Sequence, residues 1–204
     1  NKNEELYVYG AEQVIAVSND SLTIFNAKVY ASVINQVAAV QGSTVVILDS
    51  SIDGLFVAPM VAVALNAGYA SNVVALPSAT NPFTVKRKAF SSKAFSNTVI
   101  SSDKKVIGVA KNAYGIHENP VSGITESFDA SISDADLSVK SVKIEKISGK
   151  VTIADADIVV SAGRGLKGPE NWGMIEELAS VLGAATACSK PVSDLGWRPH
   201  GEHV

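Results

Sequence analysis

The spacing of apolar positions changes along the chain, and each spacing specifies a different kind of element. Leu6 to Val8 and Val14 to Val17 are short apolar runs that predict strands. Tyr30, Val33, Ile34 and Val37 recur at i, i+3, i+4 and i+7, one face of an amphipathic helix. Asn26 stands where the N-cap belongs, and Gly42 stops the pattern. Thr44 to Leu48 is rich in β-branched residues, which predicts a strand buried on both faces of a parallel sheet. From Leu55 to Asn66 the chain is apolar nearly all round (Val57, Met60, Val61, Val63, Leu65), so a buried helix is expected. Asp53 is its expected cap, and Pro59 is tolerated only in a first turn. Asn72 to Leu76 predicts another strand. Strand and helix alternate, as in a parallel α/β sheet.

The pattern then changes. Pro82 to Phe90 and Lys93 to Ser101 read as an antiparallel hairpin around Ser91 and Ser92, followed by a strand from Val106 to Ala110. Lys111 to Ser138 is polar and aperiodic, a long loop or linker. Ser138 to Ile147 alternates like an extended segment, and Ser148-Gly149-Lys150 marks a boundary between domains at 1–147 and 148–204. Beyond it, Ile158 to Val160 runs into a glycine-rich loop that ends at Pro169. Trp172, Ile175, Leu178, Ala179 and Leu182 form a helical face closed by Gly183, and Ala184 to Cys188 is a small apolar strand. The expected fold class is α/β. It has Rossmann-like parallel sheet layers with an antiparallel hairpin in the first domain, then the start of a second α/β nucleotide-binding domain.

Composition narrows the classes of function. Of 204 residues, 47% are hydrophobic and 18% charged, which supports a sizeable core and excludes global disorder. A net charge of −3 argues against nucleic acid or an anionic membrane surface as the main partner. No apolar run reaches the ~18 residues of a membrane helix. The single cysteine, Cys188, excludes an internal disulfide framework and fits a reducing, cytoplasmic setting. Asn1 to Glu5 is neither a secretory signal nor a transit peptide, and without an initiator Met the natural N-terminus is expected upstream.

The candidate chemistry sits in the glycine loop. Gly163, Gly165 and Gly168 match G-x-G-x-x-G after a strand, and Arg164 and Lys167 add positive charge, so the loop suits an anion such as phosphate. A dinucleotide fingerprint of the NAD type also needs a helix beginning within the loop and an acidic residue about 20 positions on. Pro169 delays the helix, and Gly183 to Cys188 holds no acid. Ser189 and Lys190 end the following strand, so both strand ends face one crevice. Lys86, Arg87, Lys88 and Lys93 make the hairpin basic, either a solvated face or a rim meeting a cofactor or acidic partner. His200, Glu202 and His203 lack a third strong metal ligand, His117 is a lone loop histidine, and a Ser189, Asp194 and His200 triad lacks a nucleophile elbow. No catalytic or metal site is expected, and Cys188 reads as a small buried hydrophobe.

V-V-S-A-G-R-G-L-K-G-P-E-N-W from Val159 to Trp172, Leu178-Ala179, Leu182-Gly183-Ala184, A-C-S-K-P from Ala187 and D-L-G-W-R-P from Asp194 resemble the start of the FAD domain of the electron transfer flavoprotein alpha subunit. Val57-Ala58-Pro59 and the basic hairpin from Phe83 to Val99 are similar, more weakly, to the later part of that subunit's N-terminal domain. The resemblance implies a carrier subunit, not an enzyme with its own product. Such a subunit pairs with a beta subunit and carries one FAD. It passes electrons from dehydrogenases, notably acyl-CoA dehydrogenases, to a quinone reductase or another acceptor. It implies FAD contacts at Gly163, Arg164, Gly165, Ser189, Lys190 and Val204. Lys190 departs from the family's usual arginine, and Val204 would open a V-G-Q-T segment. Because the family continues past this point, the chain is expected to be an internal fragment that does not hold FAD tightly by itself. The alternatives are an NAD-dependent dehydrogenase using the Gly163 to Gly168 loop, and an interaction module in which that loop is structural.

Overall fold

The computed structural model describes residues 2–142, 151–153 and 156–204. The chain divides into compact units at 1–142 and 143–204. The expected boundary at Ser148 to Lys150, and the second half of the extended segment before it, lie outside the described residues.

The first unit is built on a mixed sheet. Its elements are α1 (Lys2–Glu5), β1 (Gln13–Ala16), α2 (Ala27–Val40), β2 (Val45–Asp49), α3 (Ile52–Leu65), β3 (Gly68–Val73), β4 (Ala79–Thr80), β5 (Phe83–Ala89), β6 (Ala94–Ile100), β7 (Lys105–Val109) and β8 (Ile124–Ser127). The main sheet runs β2-β7-β3-β5-β4, with β6 on β5. β2, β7 and β3 are parallel, and β4, β5 and β6 join by antiparallel pairing. The α/β class and the hairpin are therefore present as the apolar spacing predicts. Phe90, Ser91 and Ser92 all take positive φ at the hairpin turn.

Two apolar layers hold this sheet. α2 and α3 pack on one face through Ala31, Val57, Val61 and Leu65, meeting Val46, Leu48, Tyr69 and Val106. On β7 the next residue, Ile107, joins the other layer with Val73, Val85 and Ile100. β7 is thus buried on both faces, but β2 is not. It lies at the sheet edge, outside the second layer, and leaves Ile47 65% exposed. α3 corrects the expectation of full burial in the same way. Val57, Ala58, Val61 and Ala62 are buried, while Phe56, Met60 and Val63 face outward. Its cap is Ser51, whose Oγ accepts from the Gly54 N–H at 3.1 Å, with Asp53 inside the first turn. Pro59 stands beyond the first turn, and the helix continues to Leu65 because packing of the buried stripe outweighs the lost bond.

Other departures are local. Leu6–Tyr9 is a 3-10 turn, not a strand. β3 begins at Gly68, two residues after the left-handed Asn66 that caps α3, and ends before the predicted Leu76. The polar loop after β7 contains β8, which pairs in parallel with β1 from Gln13 opposite Ile124. All of β8 is exposed, so no apolar period announces it.

The second unit contains β9 (Val159–Ala162), α4 (Gly173–Leu182), β10 (Ala185–Cys188) and α5 (Lys190–Asp194). β9 and β10 are parallel, with Ala162 opposite Cys188. Gly183 takes φ +62° and closes α4, donating to the Ser180 carbonyl at 3.3 Å. Trp172, Cys188 and Val192 form the core, joined by Ala162, Leu166, Ile175 and Trp197. Among the described residues no helix is long and apolar enough to cross a membrane.

Candidate functional site

The strand ends of the second unit converge. β9 ends at Ala162, whose carbonyl accepts the Ser189 N–H at 3.0 Å just past β10. A Cβ on Gly163 would lie 3.5 Å from the Ser189 Oγ, so the first glycine of the loop faces the serine directly. The chain returns once more to this edge. His203 bridges Cys188 in parallel, and the Val204 N–H donates to the Cys188 carbonyl at 3.1 Å. Gly163, Arg164, Gly165, Ser189, Lys190 and Val204 therefore gather at one end of β9 and β10.

The glycine loop is not the direct N-terminus of a helix. It forms a 3-10 turn at Arg164–Leu166, closed by left-handed Lys167, and a second at Pro169–Asn171 before α4 begins at Gly173. Asn171 ties the turns together by donating from Nδ2 to the Leu166 carbonyl at 2.8 Å. The third glycine thus never packs a helix on the strand as the NAD fingerprint requires. Gly183 to Cys188, where that fingerprint would set an acid, holds none, and Ser189 and Lys190 follow the end of β10. Arg164, Lys167 and Lys190 are exposed, and none is ion-paired among the described residues. Exposed cations, a serine hydroxyl with no partner among the described residues and a glycine-lined approach are groups that could hold an anion such as phosphate.

The other candidate chemistry resolves differently. Glu202 is committed to Arg198, and no group of three metal-ligating side chains occurs among the described residues. Cys188 is fully buried, and burial raises its thiol pKa above the ordinary value. In the first unit, Arg87 donates from Nε to the Ser71 carbonyl at 3.0 Å and from Nη2 to the Ser71 Oγ at 3.2 Å, bracing β5 against β3. Lys86 lies 4.6 Å over the Phe95 ring.

Arg198 is the residue that the sequence pattern passes over. Its guanidinium forks onto Glu202, at 2.7 Å from Nε and 2.8 Å from Nη2, and reaches Glu176 of α4 at 2.8 Å from Nη1. It also lies 5.4 Å over the buried Trp172 ring. The i, i+4 spacing to Glu202 was visible, but Pro199 and Gly201 point to a loop, where such spacing carries no rule.

Residues 1–140 match the model of the electron transfer flavoprotein domain, and residues 152–204 match that of the electron transfer flavoprotein FAD-binding domain. The chain belongs to the electron transfer flavoprotein alpha-subunit family. It is 31% identical over 97% of its length to the electron transfer flavoprotein subunit alpha of Thermoanaerobacterium thermosaccharolyticum, covering 61% of that relative. It is 30% identical to the Bacillus subtilis subunit alpha, over 94% of this chain and 59% of the relative. The Megasphaera elsdenii subunit alpha is 28% identical over 95% of this chain and 60% of its own length. The chain thus spans about three fifths of these relatives. The crevice between β9 and β10 lies within the stretch that matches the family's FAD-binding domain.

Proposed function

We propose that the chain is part of the alpha subunit of a cytoplasmic electron carrier that uses FAD and works with a beta subunit. It takes electrons from dehydrogenases of the acyl-CoA type and passes them to a quinone reductase or another acceptor. The observation that supports this reading is the convergence of the Gly163 to Gly165 turn, Ser189 and Lys190, and Val204 at one end of two parallel strands.

In this reading Gly163 and Gly165 let the backbone approach the ligand; a Cβ on Gly165 would meet nothing, leaving that side open. Arg164 holds a phosphate or the ring edge by its fork of donors, and the Ser189 hydroxyl supplies a hydrogen bond. FAD, when bound, would supply a reducible ring that gains negative charge on reduction. Lys190 would add a fixed positive charge to the site and so favour the reduced form of the bound cofactor.

The test is FAD retention by the full-length protein with its partner subunit. Arg164→Ala is expected to weaken FAD binding about tenfold, about 1.4 kcal/mol, with no change in melting temperature of the flavin-free protein. Equal affinity in wild type and variant overturns the assignment. In the same preparation Lys190→Ala lowers the flavin midpoint potential, and an unchanged redox titration removes Lys190 from the site.

A further inference from the structure

The crevice has a third side that β9 and β10 do not supply. It is the segment from His200 onward, whose backbone meets Cys188 at His203 and Val204. That segment is short and mostly exposed, so apolar burial does not hold it in place. Its own contribution is a 3-10 turn at His200–Glu202, in which the Glu202 N–H donates to the Pro199 carbonyl at 3.0 Å and the His203 N–H to the His200 carbonyl at 3.1 Å. A single such turn is a weak constraint on where the next residues go.

Arg198 supplies the stronger constraint. Its side chain is 14% exposed and the Glu202 side chain 15%, so their fork is shielded from water, while Glu176 is 50% exposed. Hydrogen bonds to Glu202 are the main cause that raises the Arg198 pKa, which keeps the guanidinium charged. A paired, planar contact fixes direction as well as distance, which a lysine ammonium does not. One end of the network is anchored in α4 through Glu176, and its flat face lies on Trp172, which is 3% exposed. The other end is Glu202, immediately before the two residues that pair with Cys188.

We propose that Arg198 is a positioning residue for the cofactor crevice. Through Glu202, Glu176 and Trp172 it holds the 200–204 segment beside the end of β10, and so sets where Val204 stands relative to Ser189. The link to cofactor binding rests on the FAD reading above; the link to segment position does not.

The experiment has independent arms, both on the full-length protein with its partner subunit. Hydrogen exchange is followed at the His203 and Val204 amides in flavin-free protein, with the Ala185 amide of β10 as internal reference. Arg198→Gln is expected to speed exchange at His203 and Val204 about tenfold and to leave Ala185 unchanged. FAD affinity, read by flavin fluorescence, is expected to fall about tenfold in the same variant. Arg198→Lys keeps the charge and loses the fork, so both readouts should recover only in part. Glu202→Gln should reproduce the Arg198→Gln pattern, which guards against a general loss of folding in one variant. Unchanged exchange at His203 and Val204 overturns the positioning role. Faster exchange with unchanged FAD affinity overturns the connection to the crevice. Equal acceleration at Ala185 means general loosening and overturns the proposal as well. If the wild type itself does not bind FAD, the cofactor reading fails, and the exchange arm alone decides what Arg198 does.

Discussion

Cys188 illustrates how one residue's surroundings decide its chemistry. It is completely buried between Ala187 and Ser189 in the second unit's core, and desolvation, aided by the charge of Glu202, raises its thiol pKa. The nucleophile is the thiolate, so a buried neutral thiol is inert. Native protein at pH 8 should therefore leave Cys188 unmodified by a disulfide reagent for thiols, with stoichiometric reaction only after denaturant is added. Asn26 is a second instance. Its Oδ1 accepts from the Lys28 N–H at 3.0 Å and the Val29 N–H at 3.4 Å, while its Nδ2 donates to the Val139 carbonyl at 2.7 Å. Asn26→Ala removes the cap and the tether together and should cost about 1–2 kcal/mol in urea unfolding. Asn26 was readable as a cap because the helical period begins just after it. Asp53 is the cap that the sequence predicts for α3; Ser51 is a capping type as well, and only the Gly54 contact identifies it as the cap.

At the scale of elements, α3 separates composition from burial. Its sequence offers apolar side chains on every face, and only the stripe through Val57, Ala58, Val61, Ala62 and Leu65 meets α2 and the sheet. Val61 is 0% and Val63 82% exposed, although they are neighbours of the same type. Val61→Ala should therefore destabilise by about 2 kcal/mol, and Val63→Ala by less than about 0.5 kcal/mol, in the same denaturant series. Equal losses would mean that this face of α3 is covered. β2 and β7 make the same point among strands. Both are apolar runs, yet β7 is central and β2 is at the edge. Strand order is a long-range property that a local run does not carry.

At the scale of the folded units, the first is closed by a polar strap as well as by its core. The 131–139 stretch lies along α2, where Gln36 donates to the Ser131 carbonyl at 2.7 Å and accepts from its N–H at 2.9 Å. The Lys28 Nζ donates to the Ser138 Oγ at 2.9 Å, and the Ser32 hydroxyl donates to Asp136 at 3.2 Å. Asp136 accepts first from the Ser133 backbone and then from its hydroxyl, and these bonds lower its pKa below the ordinary carboxylate value. A lowered folded pKa means that the stabilisation is present above the unfolded value, about 3.9, and disappears as the pH falls through the folded value. The stability advantage of wild type over Asp136→Asn should thus shrink as urea midpoints are measured from pH 6 down to pH 3. A constant difference would show that the charge is not what the strap uses.

Local periodicity and punctuation were enough, in the sequence alone, to determine α2, the β5–β6 hairpin, α4 with its glycine stop, β9 and β10, and the glycine loop between them. Each of these is announced by spacing and punctuation within its own stretch of sequence, although the pairing of β9 with β10 is not. The motifs from Val159 to Pro199 also carried the family resemblance. What tertiary structure decided depends on partners far along the chain. It set which faces of α3 and β2 stay exposed, paired β8 with β1, and brought Val204 back to Cys188. It also gave Arg198 its partners, because an ion pair across a turn is defined by the approach of its ends and leaves no period to read.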